Sequence, residues 1–217
     1  MLRPGELVLR ASLEALPRGA RDEWLDSLLG LKGLPADGTD LPRGCVPYLP
    51  CPVEVLLRAV DRAEITSEDV FVDVGSGVGR AAALVHLLTG AGAVGVEVQQ
   101  ELVRQSRELA AALEAPRFAT VAGDAAELLR FLPTGTVFFL YCPFSGARLE
   151  RVFEHLEDIA RTRTIRVCCV QMPALARPWL EPLWEDEELS IYRSRAFTVD
   201  LRSDAVEVRS LLAQHRK

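Results

Sequence analysis

Three glycines and one carboxylate lie close together where an apolar run of the chain ends. The run Val70–Val74 contains Asp73, and Gly75, Gly77 and Gly79 follow it at alternate positions. A residue without Cβ allows unusual backbone angles and a close approach to a ligand, and the N–H groups of a following helix can bind a negative group. The G-x-G-x-G spacing is one residue shorter than the dinucleotide fingerprint G-x-G-x-x-G. The segment therefore predicts a nucleotide-like ligand at a strand–turn–helix junction.

Three later segments place further polar and aromatic residues at equivalent positions. Glu97 lies at the end of one apolar run, Gly123-Asp124-Ala125 follows the next, and Tyr141-Cys142-Pro143-Phe144 ends a third. Ligands of open parallel sheets bind outside the carboxyl ends of the strands. We therefore expect these segments to meet the glycine loop at one edge of a sheet.

Short apolar runs alternate with helical patterns through the middle of the chain, which predicts a parallel sheet with helices on both faces. The predicted strands are 70–74, 93–98, 118–122, 137–141 and 165–170. Pro178–Trp184 is predicted to be a short helical or irregular element. Leu189–Arg193, Ala196–Leu201 and Val206–Leu212 all resemble strands, and the pattern leaves open which of them form a terminal hairpin.

The N-terminal region has a different character. Residues 6–31 have a helical pattern, and residues 33–44 are rich in Gly, Pro and Asp, as loops are. We therefore predict a helical cap and linker over residues 1–45 and a ligand-binding domain over residues 46–217. Tyr48 and Pro52 lie just before a helix that leads into the glycine-loop strand, which suggests that Tyr48 borders the ligand pocket.

Composition narrows the possible partners and compartment. The 217 residues carry a formal charge of −6, which disfavours nucleic acid as a partner. No apolar run is long enough for a membrane span and the N-terminus lacks the apolar core of a signal peptide, so we expect no membrane association. The five cysteines contain no C-x-x-C pair and the histidines lie far from them in sequence, so we predict no metal site. Their odd number, with two of them in an apolar run, predicts reduced thiols and a cytoplasmic location. They are Cys45, Cys51, Cys142, Cys168 and Cys169.

The ordered set of motifs resembles the class I S-adenosylmethionine-dependent methyltransferases from Tyr48 to the end of the chain. The resemblance implies a three-layer αβα sandwich around a seven-stranded, mostly parallel, doubly wound sheet with an antiparallel C-terminal strand. It also implies S-adenosylmethionine as the cofactor. The loop Asp73–Arg80, together with Gly95–Glu97, is in addition locally similar to that of the non-SET histone-lysine methyltransferases.

The resemblance assigns roles to single residues. Asp73 would help to orient the amino-acid end of the cofactor, Glu97 would accept hydrogen bonds from both ribose hydroxyls, and Asp124 would accept one from the adenine amino group. The implied cofactor-binding residues are Tyr48, Asp73, Gly75, Ser76, Gly77, Gly79, Glu97, Gly123, Asp124, Ala125, Tyr141, Cys142 and Pro143.

The fourth motif departs from the family pattern. Amino-group methyltransferases of this fold often have Asp, Asn or Ser before Pro-Pro and an aromatic residue, whereas this chain has Tyr141 and Cys142 before Pro143 and Phe144. A nucleobase or amide nitrogen is therefore disfavoured as the acceptor. We expect a small-molecule or protein acceptor, with Tyr141 and Phe144 lining its pocket and proximity as the main source of catalysis.

Two other functions fit the same residues. A non-catalytic cofactor-binding or scaffold protein would explain the incomplete fourth motif. An NAD(P)-dependent oxidoreductase would use Glu97 on the ribose in the same way, although the glycine spacing and the Gly123-Asp124 motif argue against it. The sequence leaves the oligomeric state open.

Overall fold

A computed structural model describes residues 4–195, except for 34, 36, 37, 39, 40 and 43. Within these residues the helices are α1 (Pro4–Ala15), α2 (Arg21–Leu28), α3 (Val53–Arg62), α4 (Arg80–Thr89), α5 (Gln100–Ala112), α6 (Ala125–Leu128) and α7 (Ala147–Ala160), with single 3₁₀ turns at Arg18–Ala20 and Leu129–Phe131. The strands are β1 (Val70–Val74), β2 (Gly92–Glu97), β3 (Phe118–Ala122), β4 (Val137–Tyr141), β5 (Arg166–Val170), β6 (Leu180–Glu185) and β7 (Leu189–Ser194). None of the helices in this part of the chain is long and apolar enough to cross a membrane.

All seven strands form one sheet in the order β3-β2-β1-β4-β5-β7-β6. The first five pair in parallel, whereas β7 is antiparallel to both of its neighbours. The strand order reverses between β1 and β4, and such a switch point is where ligands of doubly wound sheets bind. This is the seven-stranded, mostly parallel sheet that the sequence predicted, and the glycine loop after β1 lies at its switch point.

The central strands are buried on both faces, which is why they are continuous apolar runs. Phe71 and Phe139 belong to a hydrophobic cluster shared with α3 and α4 on one face of the sheet. Phe138 and Leu140 belong to a second cluster shared with α7 on the other face. The two clusters hold the strand ends, and therefore the site, in fixed positions.

The N-terminal helices pack into the first of these clusters. Leu13 of α1 and Leu25 of α2 are fully buried there, and α1 packs against α4. A division of the chain near residue 45 remains a prediction, but the segments on either side of it share one hydrophobic cluster.

The prediction for Pro178–Trp184 was wrong, because most of this segment lies in strand β6. Its prolines suggested an interrupted element, but β6 lies at the edge of the sheet, where a residue without an N–H is tolerated. Pro182 lies opposite Tyr192, and the register shifts between Pro182 and Trp184. The terminal hairpin is therefore β6–β7. The candidates Ala196–Leu201 and Val206–Leu212 fall outside the described residues.

Burial of α1 leads to a stability prediction. Leu13→Ala should lower the free energy of unfolding by about 2–5 kcal/mol, because it leaves a cavity in the shared cluster. Leu7→Ala on the same helix is a matched control, since the Leu7 side chain is 53% exposed, and should change stability by no more than about 0.5 kcal/mol. Urea unfolding measures both. Equal effects of the two variants would show that α1 does not pack as described.

Candidate functional site

A cleft of about 850 Å³, partly open to solvent, lies at the carboxyl ends of the parallel strands. Ten of the predicted site residues line it: Tyr48, Gly75, Glu97, Gly123, Asp124, Ala125, Tyr141, Cys142, Pro143 and Phe144. Asp73 and Ser76 line a smaller adjoining cavity, whose wall also includes Tyr48, Gly75 and Tyr141. Gly77 and Gly79 line neither space. The structure thus brings most of the predicted residues to one place.

The glycine loop is fixed by hydrogen bonds to the end of β2. The N–H groups of Gly75 and Ser76 both donate to the carbonyl of Val96, at 2.9 and 3.1 Å. The Gly77 N–H donates to Glu97 Oε2 at 2.8 Å. Gly75, Gly77 and Gly79 have φ values of 82°, 54° and 79°, which L residues with side chains rarely adopt. The alternate glycines are therefore required by the backbone of the turn itself.

Gly77 and Gly79 also make room for neighbouring side chains. A Cβ on Gly77 would lie 2.1 Å from Cε2 of the Tyr48 ring, and one on Gly79 would lie 2.3 Å from Ser106 Oγ. Gly77 therefore lets Tyr48 pack onto the loop, whereas Gly79 lets α4 approach α5. Their roles are in shaping the loop rather than in lining the cleft.

Glu97 is a buried and oriented acceptor at the cleft. Its side chain is only 6% exposed, and besides the Gly77 N–H it accepts a bond from the Gln99 N–H to Oε1 at 2.8 Å. A carboxylate offers about four lone-pair sites. The two amides fix the direction of the carboxylate, which lines the cleft.

Asp73 lies deeper, at the end of β1, and is 4% exposed. Burial, and then the nearby Glu97 carboxylate, raise the pKa of Asp73 to about 7, against the opposing effect of a hydrogen bond from the Ala82 backbone. The buried Ser76 Oγ beside it has no hydrogen-bond partner among the described residues. A cationic group in this cavity would favour the ionised form of Asp73.

Asp124 caps α6 and also holds an ion pair that the sequence did not predict. Its Oδ1 accepts from the Ala126 N–H at 3.0 Å, and its Oδ2 pairs with the guanidinium of Arg148 on α7. Arg148 stands 24 positions further along the chain, and no local pattern connects it with Asp124. Any ligand donor that approaches Asp124 therefore meets a carboxylate that already has a cationic partner.

The chain before α3 forms one wall of the cleft. The Val46 N–H donates to the Pro143 carbonyl at 3.0 Å and the Ser145 N–H to the Gly44 carbonyl at 3.2 Å, so residues 44–46 pair with residues 143–145. Further back, the Gly38 N–H donates to Gln99 Oε1 at 2.7 Å. Gly38 and residues 44–46 thus lie along the edge of the cleft, and sequence reasoning identified only Tyr48 from this wall.

Gln171 is a second residue that sequence reasoning missed. It follows β5 directly and lines the cleft beside Tyr141 and Cys142. The rule that ligands meet the carboxyl ends of parallel strands could have identified it, since β5 neighbours β4. Across the described part of the chain, no three His, Cys, Asp or Glu side chains are placed to hold a metal ion.

Comparisons with known proteins agree with this geometry. The family model of the histone methylation protein DOT1 matches residues 50–122, which span the segment from α3 to the end of β3. No curated protein matches the chain in sequence.

Several solved structures share the fold. An RNA methyltransferase from Salinibacter ruber, in complex with S-adenosyl-L-homocysteine, is 25% identical with a TM-score of 0.52, over 70% of this chain and 99% of that chain. The protein yhhF from Escherichia coli, provisionally named a methyltransferase, is 21% identical with a TM-score of 0.56, over 72% and 91%. Precorrin-6y C5,15-methyltransferase from Geobacter metallireducens GS-15 is 15% identical with a TM-score of 0.52, over 75% and 94%.

The strand order, the glycine loop at the switch point and these likenesses define the class of the protein. The chain has the class I methyltransferase fold, and the resemblance seen in the sequence is confirmed. The same findings support methyltransferase activity for this chain.

The contact between Gly77 and Tyr48 leads to a prediction about the loop. Gly77→Ala should lower the free energy of unfolding by about 2–4 kcal/mol, because it combines left-handed backbone strain with displacement of the tyrosine ring. Gly30→Ala is a matched control, because Gly30 has a φ of 67° and open space around it, and it should cost only the strain, about 1–2 kcal/mol. In a Tyr48→Ala background the cost of Gly77→Ala should fall to that of the control. Urea unfolding of the four-protein cycle measures this, and an unchanged cost would refute the contact.

Proposed function

We propose that this protein is an S-adenosylmethionine-dependent methyltransferase that transfers a methyl group by in-line displacement to a small-molecule or protein acceptor. The observation that carries the proposal is the row of carboxylates Asp73, Glu97 and Asp124 at the carboxyl ends of the adjacent strands β1, β2 and β3. They border the cleft and its inner cavity. The S-adenosyl-L-homocysteine complex of the Salinibacter ruber enzyme, on the same fold, supports this choice of ligand.

Each carboxylate suits one part of the cofactor. Buried Asp73 would meet the ammonium group of the amino-acid end, beside the Ser76 hydroxyl, which has no hydrogen-bond partner among the described residues. Glu97 would accept from the ribose hydroxyls, and Asp124 would accept from the adenine amino group, with the Arg148 ion pair holding its carboxylate in place. The loop from Gly75 to Gly79 would bring the backbone against the cofactor.

The cofactor supplies an activated methyl group, so the chain needs mainly to align the acceptor. Tyr141 and Phe144 would line the acceptor side. Burial raises the pKa of Tyr48, and burial likewise raises the pKa of Tyr141, so both phenols stay protonated near neutral pH. Neither suits the role of general base, which favours an acceptor that is nucleophilic without one.

The remaining expectations stand as parts of this proposal. Residues 1–45 act as a cap and linker, and residues 46–217 as the methyltransferase domain. The five cysteines are unpaired thiols in the structure, which supports a cytoplasmic location. A non-catalytic cofactor-binding protein and an NAD(P)-dependent oxidoreductase are the alternatives.

Calorimetry separates these functions. We expect S-adenosylmethionine and S-adenosylhomocysteine to bind and NAD not to bind. Glu97→Ala should weaken S-adenosylhomocysteine binding by about 1–3 kcal/mol, the contribution of hydrogen bonds to a charged acceptor, and should abolish the preference for adenosine over 2′,3′-dideoxyadenosine. Glu101→Ala, which removes a surface carboxylate paired with Arg104, is the control and should change neither.

Binding of NAD alone would overturn the proposal. A loss of affinity in Glu97→Ala with the adenosine preference intact would assign Glu97 to loop anchoring only. Cofactor binding without a +14 Da product in lysate would favour the non-catalytic alternative.

The raised pKa of Asp73 predicts a pH dependence of binding. The ammonium group of the amino-acid end favours the ionised form of Asp73, so binding should release a proton near pH 7, and affinity for S-adenosylhomocysteine should rise by roughly tenfold between pH 5.5 and 7.5. Asp73→Asn should remove both effects. Calorimetry in buffers of different ionisation enthalpy measures the released proton. Constant affinity in the wild type over this range would contradict the role of Asp73.

The raised pKa of Asp73 also makes the stability of the unliganded protein depend on pH. Between about pH 4 and 7 the folded state binds the Asp73 proton and the unfolded state does not, so this group makes the folded state less stable as pH rises through that window. A ligand cation that keeps Asp73 ionised removes this dependence.

A further inference from the structure

The acceptor end of the cleft has a polar side chain that the fourth motif itself lacks. β4 and β5 pair in parallel with Tyr141 opposite Val170, so the next residues, Cys142 and Gln171, lie side by side beyond the strand ends. Both line the cleft. The carboxamide of Gln171 is therefore positioned where the polar residue of the fourth motif would be expected to act.

The backbone at this place is strained in two neighbouring residues. Cys142 has a φ of 40° and Gln171 a φ of 51°, values that residues with a Cβ rarely adopt. Such outliers concentrate at ligand and active sites, where the surrounding structure holds them. The Gln171 N–H donates to the Glu188 carbonyl at 2.8 Å, which fixes the turn and leaves the side chain exposed in the cleft.

The side chain of Gln171 also acts on Tyr141. It lowers the pKa of the Tyr141 phenol, against the larger opposing effect of burial, and we expect Tyr141 to line the acceptor pocket. A carboxamide has two N–H donors and one carbonyl acceptor. When an N–H donates to the phenol oxygen, the carbonyl oxygen remains available for a group in the cleft.

We propose that the Gln171 carboxamide binds and orients the methyl acceptor, which carries an N–H hydrogen; this inference rests on the proposed methyltransferase function. The carbonyl oxygen accepts a hydrogen bond from the acceptor, so that the acceptor lone pair faces the methyl carbon. The lone pair forms the new bond to carbon, the carbon–sulfur bond breaks with its electrons left on sulfur, and the acceptor proton passes to solvent. Gln171 thus replaces the polar residue that is absent before Pro143.

The test uses two cofactor analogues that differ at the reacting centre. Sinefungin has an amine-bearing carbon in place of the methyl sulfonium, whereas S-adenosylhomocysteine has a bare thioether. Gln171→Gly should weaken sinefungin by about tenfold, the effect of one hydrogen bond to a charged group, and should leave S-adenosylhomocysteine unchanged. Gln171→Glu should tighten sinefungin selectively, because a carboxylate attracts its ammonium more strongly.

Glycine is chosen because it relieves the left-handed backbone, so Gln171→Gly should fold with an unchanged or higher melting temperature. Glu114→Gly is the matched control, since Glu114 has a φ of 47° and follows α5 away from the cleft. It should raise the melting temperature similarly and leave the ratio of the two affinities unchanged.

The outcomes distinguish a failure of the proposed cofactor site from a failure of the proposed role of Gln171. If the wild-type protein binds neither analogue, the proposed function fails and this inference fails with it. If it binds both and the ratio of affinities is the same in Gln171→Gly, Gln171→Glu and the wild type, the role of Gln171 is refuted while the cofactor site stands. The role of Gln171 is supported if the affinity for sinefungin, relative to that for S-adenosylhomocysteine, falls in Gln171→Gly and rises in Gln171→Glu.

Discussion

A buried arginine ties the N-terminal helices to the cofactor loop. Arg80 begins α4 directly after the glycine loop, and its side chain is only 3% exposed. Its guanidinium donates to Asp22 at 2.8 Å and to Asp26 at 2.5 Å on α2, and to the Cys51 carbonyl at 2.7 Å. A buried charge is costly unless such partners are present. The start of α4 therefore depends on α2 and on the chain before α3.

The same constraint extends to the cleft wall. Asp22 also accepts a bond from the Val53 N–H at 3.0 Å, so one carboxylate connects α2, α3 and α4. The chain that runs from the linker to α3 is thereby held against the loop, with Tyr48 packed on Gly77. Helix α2, whose carboxylates pair with the buried Arg80, is therefore a structural part of the site.

These contacts show which features the sequence could predict. The central strands were predictable because burial on both faces makes them continuous apolar runs. Asp73, Glu97 and Asp124 were predictable because ligand residues lie at the carboxyl ends of such runs. The edge strand β6 was not, since tolerance of Pro182 depends on its place in the sheet. The roles of Arg80 and Arg148 could not be predicted either, for a related reason. Their partners are distant in sequence, and a single arginine has no pattern that distinguishes a buried ion pair from a solvated charge.

The charges around the cleft also bear on the direction of the proposed reaction. Asp73 and Glu97 are buried carboxylates close enough that the charge of Glu97 raises the pKa of Asp73, so these two residues bring unfavourable negative charge together. The sulfonium and ammonium groups of S-adenosylmethionine outnumber its single carboxylate, so the cofactor would offset part of that charge. Methyl transfer converts the sulfonium to a neutral thioether, and the product, with one ammonium and one carboxylate, has no net positive charge. The electrostatics of the site would therefore favour binding of the methyl donor over its demethylated product.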